Sequence, residues 1–192
     1  MILAEGDTEL AARSRLKLFL DERASGRPRV GLDVKPVDGP LTQRQVSVRT
    51  KMYLLDPQVL GVIALTDVCP GFASATAAKQ QIREWMPDDG RCYAQAAQFQ
   101  FESWLLCDWD AILRRAGVRR RPPGGDPEQV DGEKQPAEHI SELFRLAGKK
   151  YIKPMDGKKL FDQLDLEAAA RQCPELMEFL NSILSLAGYD PI

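Results

Sequence analysis

At 192 residues, 44% hydrophobic and 28% charged, the chain has the composition of one globular domain, which excludes a largely disordered or fibrous protein. Its formal net charge of −2 excludes capture of nucleic acid by the whole surface, so any such contact must come from a local basic patch. No apolar run approaches the ~20 residues needed to span a membrane. The first six residues show no basic stretch followed by an apolar one, so no signal peptide is expected.

Taken in chain order, Ile2, Leu3 and Ala4 read as the tail of a strand that runs directly into Glu5-Gly6-Asp7-Thr8-Glu9. Leu10, Ala11, Leu16, Leu18, Phe19 and Leu20 follow at roughly helical spacing, ending near Ser25-Gly26. Alternation at Val30, Leu32 and Val34 predicts a second strand over 30–37, and a helix over 42–55 follows the turn at Asp38-Gly39-Pro40. The run 59–66 is almost continuously apolar, as a central parallel strand covered on both faces must be, and Asp67 stands at its end. A helix over 73–85 and a fourth strand over 91–97 complete an alternation of strands and helices, which predicts an α/β fold with a mostly parallel sheet. Residues 99–116 read as a helix carrying Phe101, Trp104, Leu105, Trp109, Ile112 and Leu113. The Arg, Pro and Gly-rich stretch after it is the best linker in the chain. Short helices are expected over 137–147, 157–164 and 174–187. The expected organisation is a core over 1–116, a linker loop over 117–135 and a helical extension over 136–192 packed on the core. The four cysteines, Cys69, Cys92, Cys107 and Cys173, form no CxxC pair, which argues against both a thiol zinc site and a disulfide framework. Reduced, mostly buried thiols in a cytoplasmic protein are the plain expectation.

The residues able to carry chemistry are acids at strand ends. Glu5 lies where a strand meets a helix, Gly6 permits the tight turn, and Glu9 returns to the same helix face four residues on. Asp67 ends another strand, and in an open α/β sheet ligands bind at the carboxyl ends of the strands. Carboxylates converging there repel one another unless a cation neutralises them, and a hard divalent ion such as Mg²⁺ or Mn²⁺ suits oxygen ligands. The plainer alternatives are that Glu9 only complements its helix dipole and that Asp67 only caps the next helix. His139 is the only histidine, which argues against a hydrolase triad, and no P-loop is present.

The segment 3–9 resembles the first motif of Toprim domains, the glutamate-bearing turn of topoisomerases, primases and OLD-family nucleases. More closely, Ala64-Leu65-Thr66-Asp67-Val68, Phe101-Glu102-Ser103-Trp104-Leu105-Leu106, Tyr151-Ile152-Lys153 and Asp156-Gly157 resemble a bacterial family of Toprim-like proteins often paired with ABC-type ATPases in phage-defence loci. The resemblance implies a Toprim-like α/β core. Its metal ligands would be Glu5, Glu9 and Asp67, with Glu5 and Asp67 catalytic. It also departs from the pattern: Cys69 stands where the Asp-x-Asp motif has its second acid, and a thiol is a poor Mg²⁺ ligand. Glu102 is the best substitute, with Asp108 behind it. A late lysine, here Lys153, would stabilise transition-state charge.

Two basic patches could hold a phosphate backbone without reading its sequence: Arg44, Arg49 and Lys51 on one helix, and Arg114, Arg115, Arg119, Arg120 and Arg121 near the linker. The expected function is therefore a Mg²⁺- or Mn²⁺-dependent nuclease acting on DNA or RNA in phage defence, with an ABC/OLD-type ATPase partner and a possible homodimer. The alternative is a non-catalytic Toprim-fold subunit of an ATPase complex.

Overall fold

The computed structural model describes residues 1–24, 26–129 and 134–192, with Asp7 and Thr8 described by their backbone alone. Four strands, β1 (Ile2–Glu5), β2 (Val34–Val37), β3 (Val62–Asp67) and β4 (Cys92–Ala97), form one sheet in the order β2-β1-β3-β4, every pair parallel. This is an α/β fold with a parallel sheet flanked by helices.

The helices joining the strands explain the alternation of side chains. After β1 come α1 (Gly6–Ala11) and α2 (Arg13–Arg23); α3 (Gln43–Leu54) joins β2 to β3, and α4 (Ala75–Trp85) joins β3 to β4. Ile2, Ala4, Ile63 and Leu65 face Leu16, Phe19 and Leu20 of α2 in one apolar cluster. Leu3, Val62 and Ala64 face Val46 of α3 and Ile82 of α4 in another. Successive strand residues thus enter opposite cores, which is why the strands read as unbroken apolar runs. Start signals set two of the helices. Thr42 and Gln45 form a reciprocal capping box for α3, and Ser74 accepts the Ala77 N–H (3.1 Å) at the head of α4.

The second half adds a 3₁₀ segment (Phe101–Asp108), α5 (Trp109–Ala116), a 3₁₀ turn (Pro127–Gln129), α6 (Pro136–Leu146), a π turn (Lys153–Gly157), α7 (Lys158–Gln163), α8 (Leu166–Ala170) and α9 (Pro174–Ala187). Their apolar faces join the cluster on the α2 side of the sheet, where Trp104 stacks on Phe179 (centroids 5.5 Å apart) and Phe101 on Phe161 (5.1 Å).

Several boundaries differ from the sequence reading. The second strand begins at Val34 and not at 30, and upstream of it the Leu32 carbonyl accepts from Arg13 Nε (3.1 Å). The helix expected over 99–116 divides at Asp108, whose carboxylate accepts the Ala111 N–H (2.9 Å) and starts α5 afresh. Asp108 is therefore the cap of α5. Within the expected linker, Glu128 is buried and accepts hydrogen bonds from Trp104 Nε1 (2.9 Å) and from the Glu175 N–H (3.1 Å), pinning the segment to the core. Residues 130–133 of that linker, and Ser25 at the expected helix end, lie outside the described residues.

Candidate functional site

The strand order makes a switch point. From β1 the chain moves to one side to form β2, then crosses back over β1 to form β3 on the other side. Helices consequently leave the gap between β1 and β3 on opposite faces, and such a gap is where doubly wound sheets bind ligands. Glu5 is the last residue of β1 and Asp67 the last of β3. The register Ala4↔Leu65 sets Glu5 opposite Thr66, beside Asp67, on strands about 4.8 Å apart.

Local backbone brings the other acids to the same edge. Gly6 has φ +79°, a left-handed conformation that lets β1 turn into α1 with no intervening loop. One turn later Glu9 folds back over the edge and is 5% exposed. Beyond β4, the Gln100 N–H donates to the Gln98 carbonyl (2.9 Å) around Phe99, whose φ is +63°. A bulky residue in this conformation is strained, and such strain clusters at functional positions. The turn delivers the Phe101 N–H to Asp67 Oδ1 (2.8 Å) and places Glu102, 1% exposed, behind it. Asp67 thus caps the 3₁₀ segment and not the next helix, which Ser74 serves.

The acids differ in how well they are satisfied. Glu5 Oε1 accepts the Leu41 N–H (3.1 Å) and the Thr66 hydroxyl. Glu102 Oε1 lies 3.1 Å from Lys153 Nζ, out of line for a hydrogen bond, and is otherwise buried without a partner. Burial raises the Glu9 carboxyl well above the usual carboxylate range, and the charges of Asp67, Glu102 and Glu5 push it further; its own N–H opposes them. Burial, then Glu102, pushes Asp67 up to about 8, against the Phe101 N–H and Lys153. Tyr151 sits close enough for Glu102 and Asp156 to add to the burial that raises its phenol, and its hydroxyl has no hydrogen-bond partner.

These four carboxylates therefore act on one another across a buried edge, with the half-exposed Lys153 ammonium against them. The donor set is all hard oxygen, and Glu102 Oε1, ion-paired with Lys153 but accepting no hydrogen bond, keeps a lone pair for a cation. Among the described residues no three such groups stand in ligand geometry as placed, so gathering an ion requires the acid side chains to rotate inward. Cys69 is half-buried, its N–H donating to the Phe99 carbonyl (2.8 Å).

Lys153 is held from behind. Asp156, 3% exposed, accepts the Ile152 N–H on Oδ2 (2.8 Å) and two N–H groups of Arg115 on Oδ1 (3.0 and 2.6 Å). This closes the turn that starts at Lys153 and withdraws Arg115 from the basic patch. Arg120 is likewise paired with Glu142 (3.0 Å), and Arg49 donates to the Pro36 carbonyl (3.5 Å). Arg44, Arg119 and Arg121 are exposed, and Arg44 sits in the first turn of α3, just beyond the Leu41 N–H that reaches Glu5. The sequence motifs include Thr66, Tyr151 and Asp156, and the basic patch includes Arg115, but neither the part Thr66 and Tyr151 play at the edge nor the Arg115–Asp156 pair was expected. Thr66 carried a signal, as the one hydroxyl in β3; the pair, 41 residues apart, carried none.

The fold and the edge together define a doubly wound α/β protein with a buried acid cluster at its switch point. Residues 4–184 match the family model DUF4276, a domain of unknown function, and the chain belongs to that family. No curated protein and no solved structure matches it. Among the described residues no helix is long and apolar enough to cross a membrane.

Proposed function

We propose that the chain is a Toprim-like, metal-dependent phosphodiesterase that cuts DNA or RNA and works in phage defence beside an ABC/OLD-type ATPase. The observation that carries this reading is the convergence of Glu5, Glu9, Asp67 and Glu102 at the β1/β3 edge, with too few donors to balance their charge. Such a cluster is stable only by holding protons or by holding a cation. Glu5, Asp67 and Glu102 would hold Mg²⁺ or Mn²⁺, with Glu9 completing the set. Bound there, the ion would supply Lewis acidity and an activated water.

The chain's own residues have separate tasks. The Leu41 N–H and the Thr66 hydroxyl fix the Glu5 carboxylate, and the Phe101 N–H fixes Asp67. The Lys153 ammonium, held by the Asp156 turn, stands where negative charge would grow on phosphoryl oxygens. Arg44, Arg119 and Arg121 offer exposed cations for the phosphate backbone. The test is cleavage of DNA and RNA with Mg²⁺ or Mn²⁺. Glu5→Ala and Asp67→Ala should abolish it with the fold intact, and cleavage undiminished in EDTA would refute the reading.

A second reading, a non-catalytic subunit that docks on an ATPase, draws support from Cys69 in place of the second motif acid and from the exposed stripe of Val48 and Met52 on α3 and Leu55 at its C-cap. Cys69→Asp separates the two. Little gain in cleavage would mean that Glu102 already serves as ligand, whereas a large gain would favour the docking subunit.

A further inference from the structure

Away from the acid cluster, Cys107 Sγ and Cys173 Sγ lie 3.1 Å apart, although 66 residues separate them in the chain. Cys107 is in the 3₁₀ segment, five residues after Glu102, and Cys173 is the residue from which α9 starts. Their surroundings are unequal. Cys173 is fully buried, and the neighbouring thiol together with burial pushes its own thiol far up. Cys107 is half-buried, with the Ala169 carbonyl 3.9 Å from its sulfur. Both thiols are free, and neither belongs to the proposed metal set.

We infer that Cys107 and Cys173 form a modification site, a dithiol that is oxidised to an internal disulfide by exchange with a small disulfide such as glutathione disulfide. Cys107 is the less buried residue of the two, so as thiolate it attacks one sulfur of the oxidant. The oxidant's S–S bond breaks, one glutathione thiolate leaves, and a mixed disulfide remains on Cys107. Cys173 then gives up its proton and attacks the Cys107 sulfur, releasing the second glutathione. Two electrons pass from the protein thiols to the oxidant, and the two protons end on the released glutathione molecules. The buried thiol needs no access to solvent, because its partner is already in contact. Excess reduced thiol runs the exchange backward.

The new bond ties the segment that carries Glu102 to the head of α9, closing a long loop in the unfolded chain. Such closure stabilises the folded state, and for a chain of this size a rise in Tm of roughly 5–15 °C is expected. The inference concerns the thiols alone and stands whether or not the acid cluster binds a metal.

The test is incubation of the reduced full-length protein with glutathione disulfide, followed by intact mass, non-reducing peptide mapping and thermal unfolding. The expected result is the loss of two hydrogens in mass, one linkage between the peptides bearing Cys107 and Cys173, and a higher Tm that reductant reverses. Cys173→Ser should instead accumulate glutathione on Cys107, while Cys69→Ser should behave as the natural chain does. The mapped linkage in the natural chain decides the matter even if Cys173→Ser folds poorly. Thiols that stay reduced, glutathione adducts without a cross-link, or a linkage through Cys69 or Cys92 would overturn the inference.

Discussion

The π turn and the β1/β3 edge of this protein both bury acids, and they do so in opposite ways. At the π turn, Asp156 meets three N–H donors, two of them from a guanidinium, and serves as an anchor. At the β1/β3 edge, Glu9, Asp67 and Glu102 feel one another's charge with few donors to offset it, and two of them are pushed toward their protonated forms. A buried acid with its donors in place holds structure together. A buried acid among acids costs stability, and a fold keeps such a group for what it can bind.

The contrast can be broken at its strongest point first. Asp156→Ala leaves Arg115 facing a partly buried gap and frees the Ile152 N–H, so stability should fall by about 3–5 kcal/mol in denaturant unfolding. A loss no larger than that of a surface substitution would mean that Asp156 is not an anchor. Next comes Lys153→Ala, which should slow cleavage roughly 10²-fold while Mn²⁺ binding is nearly unchanged, if, as proposed, its ammonium acts on developing charge. Equal losses in binding and rate would make Lys153 part of the ion's site instead.

The smallest effect is the most specific to the acid edge. Asp67 holds its proton to about pH 8 in the folded protein, but loses it near 3.8 when unfolded. Between those values the folded state binds more protons than the unfolded one, so stability falls as pH rises through this window and levels off above it. Tm measured without metal should therefore drop from pH 5 to pH 8. Asp67→Asn, which keeps an oxygen for the Phe101 N–H, should flatten that slope and raise Tm at pH 8. A slope unchanged in the variant would assign the proton elsewhere.

The legibility of the two regions in the sequence differs for physical reasons. The strands were readable because the parallel sheet is covered on both faces, so β3 is apolar from Val62 to Leu65, and the helix capped by Thr42 and Gln45 carries its start signal locally. Glu5 and Asp67 were readable as strand ends, and one register step brings them together. The anchor was not legible, since Arg115 and Asp156 meet only through tertiary packing. Nor was the turn at Phe99, because nothing in an aromatic residue announces a left-handed backbone. Of the basic residues, sequence could not distinguish Arg44, which is exposed, from Arg120, which is spent on Glu142.

On the proposed reading, the edge exchanges protons for a divalent cation. The most direct test is titration of the purified chain with Mn²⁺ at pH 7 and pH 8.5, read by calorimetry and by thermal unfolding. Binding should strengthen with pH as Asp67 gives up its proton, and saturation near 100 times Kd should add about 2.7 kcal/mol, a Tm rise of roughly 5–10 °C. Both responses should vanish in Asp67→Ala. A chain that binds no Mn²⁺ at either pH, or binds it equally well without Asp67, would contradict the claim.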